Sequence, residues 1–329
     1  MNATGARALV ACSLAACMMI ALGPAGNGVR ASASPLRDYT VPAGSHPHDV
    51  APARDGTVWY TAQTAGELGR LDPATGKIQH LKLGDGSAPH GVIVGPDGAA
   101  WVTDGGLDAI VRVSADGAGV KRFPLPAGRT RTDLNTAAFD RHGTLWFTGQ
   151  AGIYGRVTVG NGRVEVWDAP RGRGPYGIAG TPSGIYFASL AGSYVGHVDP
   201  ETAKVAVLEP PTTRAGPRRI WPDSTGRLWI TEWDGGNLAR YEPATKTWKE
   251  YRLPGASPKP YAVYVDEHDA VWLSDWDANA LVRFDPRKET FESFPLPSAS
   301  GGVRQLNGRA GQVWGAESSV NKIVVWQAR

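Results

Sequence analysis

The chain has 329 residues, with 42 glycines, 25 prolines and 12 tryptophans, and 42% of its residues are hydrophobic. Turn formers mixed with large aromatics favour many short strands over helices. The formal net charge is only +3, which leaves no electrostatic footprint for nucleic acid or an anionic membrane.

Residues 1–33 read as an export signal. Arg7 supplies a positive start, Ala8 to Leu22 is almost continuously apolar, and Ala31-Ser32-Ala33 offers a small-residue cleavage site. An apolar run of this length is short for a bilayer core of roughly 30 Å, so no transmembrane span is expected after processing. Leu14-Ala15-Ala16-Cys17 offers an alternative, a lipoprotein anchor at Cys17. The apolar run continues past it through Met18, Met19 and Ile20, which favours simple export. The expected location is secreted or periplasmic. Both cysteines lie in this leader, so cleavage after Ala33 leaves no disulfide, thiolate metal site or cysteine nucleophile.

From Ser34 onward the chain repeats itself. An apolar-aromatic-apolar-small motif recurs as Val58-Trp59-Tyr60-Thr61, Ala100-Trp101-Val102-Thr103 and Leu145-Trp146-Phe147-Thr148. Ile185-Tyr186-Phe187-Ala188, Leu228-Trp229-Ile230-Thr231, Val271-Trp272-Leu273-Ser274 and Val313-Trp314-Gly315-Ala316 complete the series. The aromatic anchors are spaced by 42, 45, 40, 43, 43 and 42 residues. Seven copies at this period predict an all-β, seven-bladed β-propeller with four antiparallel strands per blade. In the second repeat the strands read as Gly91 to Val94, Ala100 to Thr103, Ala109 to Val113 and Lys121 to Leu125. The chain runs out after Ile323 to Trp326, a third strand. Asp38 to Pro42 matches the fourth-strand ends elsewhere, so the N-terminal strand is predicted to close blade seven. Residues 34–329 then form a single domain, and a closed ring predicts a monomer.

Each innermost strand starts with a Pro-X-small-apolar cluster whose X faces the central channel. X is His48, His90, Tyr176, Arg218 and Tyr261, with Asn135 at the same spacing in blade three and Gly301-Gly302-Val303-Arg304 ambiguous in blade seven. A second ring, three residues after each aromatic, reads Ala62, Asp104, Gly149, Ser189, Glu232, Asp275 and Glu317. Antiparallel pairing puts the end of the second strand beside the start of the first, so both rings open on one mouth. Convergent polar groups with Trp233 and Trp276 beside two acids predict a ligand pocket there. The plainer readings are that the histidines cap strand starts, that the tryptophans pack, and that the acids pair with Arg218 and Arg304 or a bound cation.

Trp229-Ile230-Thr231-Glu232 followed by Asn237-Leu238-Ala239-Arg240, its recurrence over Trp272 to Arg283, and Ala88-Pro89-His90-Gly91-Val92 carry a family pattern. Over the whole mature chain it resembles the streptogramin (virginiamycin B) lyases. The resemblance implies a carbon–oxygen lyase that opens a cyclic depsipeptide by elimination, with a role in antibiotic resistance. In that chemistry a histidine removes a proton next to the ester carbonyl, and glutamate-held magnesium stabilises the enolate-like charge. The family's blade-six histidine falls on Tyr261, and its blade-seven histidine and glutamate fall in Ser300-Gly301-Gly302; Glu317 matches the last glutamate. His48 or His90 is therefore the candidate base. Glu317, Asp275 and Glu232 are candidate ligands for magnesium or another divalent cation. Tyr176, Arg218, Trp233, Tyr261, Trp276 and Arg304 are candidate ligand-binding residues. Three readings stay open: a propeller that binds a small molecule, cyclic peptide, glycan or protein without reaction, a divergent lyase, and a metal-dependent hydrolase of the lactonase kind.

Overall fold

The computed structural model describes Met1 and residues 34–328; the cleavage site and Cys17 lie outside the described residues. Seven four-stranded antiparallel sheets make a β-propeller. The innermost strands are Pro47–Pro52, Pro89–Val94, Leu134–Phe139, Pro175–Thr181, Pro217–Pro222, Pro260–Val265 and Val303–Arg309. Each packs against the innermost strands of the two neighbouring blades, and the last packs against the first. Leu36–Thr40 pairs antiparallel with Lys322–Gln327, so the N-terminal strand is the outer strand of blade seven. That pairing joins the two ends of the ring and removes an exposed edge. Among the described residues no helix is long and apolar enough to cross a membrane.

The repeated motif has a physical reason at each letter. Trp59, Trp101, Trp146, Trp229, Trp272 and Trp314 are fully buried, and they pack between sheets. Trp229, for example, meets Val263, Leu273 and Phe284 of the next blade. A buried indole needs an acceptor for its N–H, and in four blades the turn before the motif supplies one: Asp97 for Trp101 at 3.2 Å, Asp140 for Trp146 at 2.9 Å, Asp223 for Trp229 at 3.0 Å and Asp266 for Trp272 at 2.8 Å. The small residue joins blades. Thr61 donates to the His90 carbonyl at 2.8 Å, Thr103 to that of Asn135 at 2.6 Å, and Thr231 to that of Tyr261 at 2.9 Å. Thr148 donates likewise to the Tyr176 carbonyl. These bonds, with Ser274 to the Val303 carbonyl at 2.8 Å, tie the starts of neighbouring innermost strands together in five blades.

Every innermost strand also carries a register shift just after its start, as between Pro47 and Val50 or between Pro217 and Ile220. Such a bulge puts an extra residue in the strand and re-aims its side chains. Here it brings the residue after X to the axis as well as X itself.

Candidate functional site

The blade-seven register resolves its ambiguous position. Val303 pairs with Glu317 as Pro217 pairs with Glu232, so Arg304 is the equivalent of Arg218. The ring of second residues is thus His48, His90, Asn135, Tyr176, Arg218, Tyr261 and Arg304. It divides into two halves with different chemistry.

In one half the His48 and His90 rings lie 3.7 Å apart, centroid to centroid. His48 Nδ1 donates to Asp49 Oδ1 at 2.8 Å. His90 Nδ1 faces the Asn135 carbonyl at 3.1 Å, which fixes the proton there and leaves Nε2 to accept from the Asn135 side-chain amide at 3.3 Å. Asp49 in turn receives Arg219 Nη2 at 2.8 Å, and Arg219 Nη1 donates to Thr136 at 2.8 Å. Thr136 closes the circuit by donating to Asn135 Oδ1 at 2.7 Å. Burial pushes both histidines well below their ordinary pKa, and Arg219 near His48 and the His48 ring near His90 push the same way. Both imidazoles are therefore neutral, and His90 has each ring nitrogen engaged. The structure brings the two candidate bases together as members of a buried network across the channel. The close approach needs glycine at two neighbours: a Cβ on Gly91 would sit 2.5 Å from the Asn135 carbonyl oxygen, and one on Gly177 2.7 Å from the Arg219 Cα.

The other half collects all six candidate ligand-binding residues. Tyr261 is stacked on Trp276 at 4.9 Å and meets Trp233 edge-on at 5.5 Å. The Arg218 guanidinium lies 3.6 Å from the Tyr261 ring centre, 4.6 Å from Tyr176 and 4.9 Å from Trp233. Arg304 sits 5.1 Å over Trp276 and donates to the Tyr261 hydroxyl at 3.4 Å. Tyr176 and Tyr261 share a hydrogen bond between their hydroxyls. Burial alone would raise the Tyr261 pKa, but the guanidiniums of Arg218, Arg219 and Arg304 outweigh it and lower the value. Tyr261 itself is buried, whereas Arg218, Trp233, Lys259, Trp276 and Arg304 are partly exposed above it. The outer face of this mouth is therefore cationic and aromatic.

The candidate metal ligands do not meet. Among the described residues the one group of three that could share an ion is His48, Asp49 and His90, and it contains none of Glu232, Asp275 and Glu317. All three acids stand at the ends of second strands, but their side chains turn into the blades. Asp275 accepts the backbone N–H of Lys259 at 2.9 Å and of Asp277 at 3.0 Å, holding the loop before the innermost strand. Asp104 does the same for Ala88, Gly106 and Leu107 in blade two. Glu232 accepts from Asn237 at 3.0 Å and Glu317 from Ser298 at 3.2 Å, while one oxygen of each has no partner. Burial raises Glu232 to a pKa of about 8 and Glu317 to about 7. The acids also fail to pair with Arg218 or Arg304. Magnesium takes oxygen ligands in near-octahedral array. The His48–Asp49–His90 group offers two imidazoles and a carboxylate already held by Arg219, so the residues present do not fit that ion.

Sequence reasoning passed over Asp49, Thr136, Arg219 and Gln305, the residues after X. Their signal was a polar side chain where the repeat otherwise carries Gly or Ala, as in Gly91, Gly177 and Ala262.

The model of the virginiamycin B lyase family matches residues 27–255 and again 180–326. A solved streptogramin B lyase is 25% identical, with 88% of this chain and 96% of that chain covered and a TM-score of 0.79. A catalytically inactive virginiamycin B lyase variant from Staphylococcus aureus, solved with quinupristin, is 21% identical over 89% of this chain and 99% of that one, TM-score 0.81. YCF48 bound to D1 peptide shares the fold at 14% identity, covering 91% and 98%, with a TM-score of 0.71. No curated protein sequence matches the chain. The chain belongs to the virginiamycin B lyase family.

Proposed function

We propose that this protein is exported by its N-terminal segment and captures an anionic, ring-bearing small molecule at the mouth formed by Arg218, Trp233, Tyr261, Trp276 and Arg304. One observation carries the reading. Arg218 and Arg304 stand over aromatic faces with no carboxylate partner among the described residues, and the Nε–H of each is unpartnered. Guanidiniums prefer planar carboxylates, and the indoles offer faces for an attached ring. His90 has both ring nitrogens engaged, His48 is held by Asp49 in the buried network, and Glu232, Asp275 and Glu317 do not converge on one point, so the residues at this mouth favour capture over the family's histidine–metal chemistry. Calorimetric titration with indole-3-acetate and indole-3-acetamide tests the reading. The acetate should bind about 10-fold or more tightly than the amide, as expected for a charge-assisted hydrogen bond worth roughly 1.5–3 kcal/mol. Arg218→Ala/Arg304→Ala should erase that preference, and EDTA should leave it intact. Equal binding of the amide, or loss of binding in EDTA, overturns the proposal.

Tyr261 favours a second reading. It occupies the family's base position, and three guanidiniums lower its pKa. In a metal-free elimination the Tyr261 phenolate would take a proton from the carbon next to a carbonyl. The electron pair would form a carbon–carbon double bond and expel the ester oxygen as carboxylate, with Arg218 and Arg304 holding the charge on the carbonyl oxygen. Incubation with quinupristin followed by mass spectrometry decides it. Elimination gives a ring-opened isomer of unchanged mass, and Tyr261→Phe should slow its formation by about 100-fold or more. Absence of that isomer sinks the elimination reading, and a product carrying solvent oxygen assigns hydrolysis instead.

A further inference from the structure

The opposite half of the channel has its own site. Past the His48–Asp49–Arg219–Thr136–Asn135–His90 circuit, the far ends of the innermost strands line a half-open cavity of ≈ 280 Å³. Its walls are apolar, with Ile93, Val94, Ala138, Phe139, Ile220 and Trp221 prominent among them. The polar residues that line it are Asp49, Thr136 and Arg219, which belong to the central network, and Gln305. None of the mouth residues Arg218, Trp233, Tyr261, Trp276 or Arg304 reaches it.

This polar part of the lining is electrically balanced but short of acceptors. Asp49 and Arg219 neutralise each other at 2.8 Å. Arg219 is 4% exposed and its Nε–H has no partner. Gln305 accepts the Val50 N–H through its side-chain oxygen at 2.9 Å, and its amide nitrogen donates to no described group. Two N–H donors are therefore left beside an apolar cavity. An oxygen acceptor would satisfy them, while a full negative charge would meet an arginine already committed to Asp49 and lose its hydration without compensation. Size narrows the ligand further. An apolar protein cavity of about 150 Å³ takes one benzene ring, so this one holds a body of two fused rings.

We propose that this cavity binds an uncharged, largely apolar molecule of about two-ring size that carries one carbonyl-type oxygen, directed at Arg219 and Gln305. The site is independent of the mouth and of whether the mouth reacts. The probe is 2-acetonaphthone, with 2-isopropylnaphthalene as its hydrocarbon counterpart, titrated by ligand-detected NMR. The ketone should bind at least about 10-fold more tightly than the hydrocarbon, the scale of leaving buried N–H donors unpaired. Ala138→Phe and Ile93→Phe, which fill the cavity from different blades, should each weaken the ketone by about 10-fold or more. Arg218→Ala/Arg304→Ala should leave it within about twofold, since those residues line only the mouth. Equal binding of ketone and hydrocarbon overturns the polar part of the site. Wild-type affinity in a filled variant that retains the wild-type circular dichroism spectrum overturns the site itself. If one filled variant fails to fold, the other decides.

Discussion

Arg219→Ala is expected to destabilise the protein by about 3–5 kcal/mol, the scale for removing one partner of a buried ion pair. The loss comes chiefly from what remains. Asp49 is only 2% exposed, and its carboxylate would stay in the interior with His48 as its main side-chain partner. Thr136 would lose the donor that reaches it at 2.8 Å. The pair joins blade one to blade five across the channel, so the damage is not confined to one sheet. Urea unfolding of the wild type and the variant at neutral pH reads the effect as a shift of midpoint at constant slope. Replacing both partners, Asp49→Leu with Arg219→Met, should cost far less than the two single changes added together, because no unpaired charge is left behind. A loss below about 1 kcal/mol for Arg219→Ala would mean that water reaches Asp49 and that the central network does not hold the ring.

The fold could be read from the sequence because its signal is redundant. Seven aromatic anchors repeat the same packing problem, and a misjudged strand end in one copy is corrected by the others. The X ring was legible for the same reason: His48, His90, Tyr176, Arg218 and Tyr261 stand out where their neighbours repeat. Asp49 and Arg219 were not, although each breaks the pattern as sharply as its neighbour. A regular strand alternates faces, so a residue beside a channel-facing X is expected to point away from the axis. The bulge between Pro47 and Val50, and its counterpart between Pro217 and Ile220, cancels that alternation. Nothing in local propensity announces a bulge of this kind. The acids failed in a different way. Their place beside the strand starts follows from antiparallel pairing alone, but the direction of each side chain depends on partners that only the folded loops bring near: the Lys259 and Asp277 amides for Asp275, the Asn237 amide for Glu232 and the Ser298 hydroxyl for Glu317. Those partners take up their positions only once the loops have folded.

Glu232→Gln should stabilise the protein at pH 7, and the size of the gain should depend on pH. Burial raises the Glu232 carboxyl from its ordinary 4.5 to about 8 in the folded chain. Between those values the folded state keeps a proton that the unfolded state has released, so the carboxyl's contribution to stability falls as pH rises through the window. Near neutrality the shift corresponds to a penalty of about 2–4 kcal/mol, at 1.36 kcal/mol per pKa unit. Glutamine has the shape of the protonated acid without the titration. Its oxygen would accept the Asn237 amide as Glu232 does at 3.0 Å, and its amino group would face Glu250, the nearby carboxylate that adds to the shift. The difference between variant and wild type should be near zero at pH 4.5 and grow toward pH 8. His48 and His90, whose pKa values are lowered by burial, weaken the fold as pH falls below about 6.5, where the unfolded imidazoles gain protons. That slope is common to both proteins and cancels in the difference. Parallel stability curves for the two proteins across this range would show that Glu232 is ionised in the folded state, with its unpartnered oxygen reached by water or a cation.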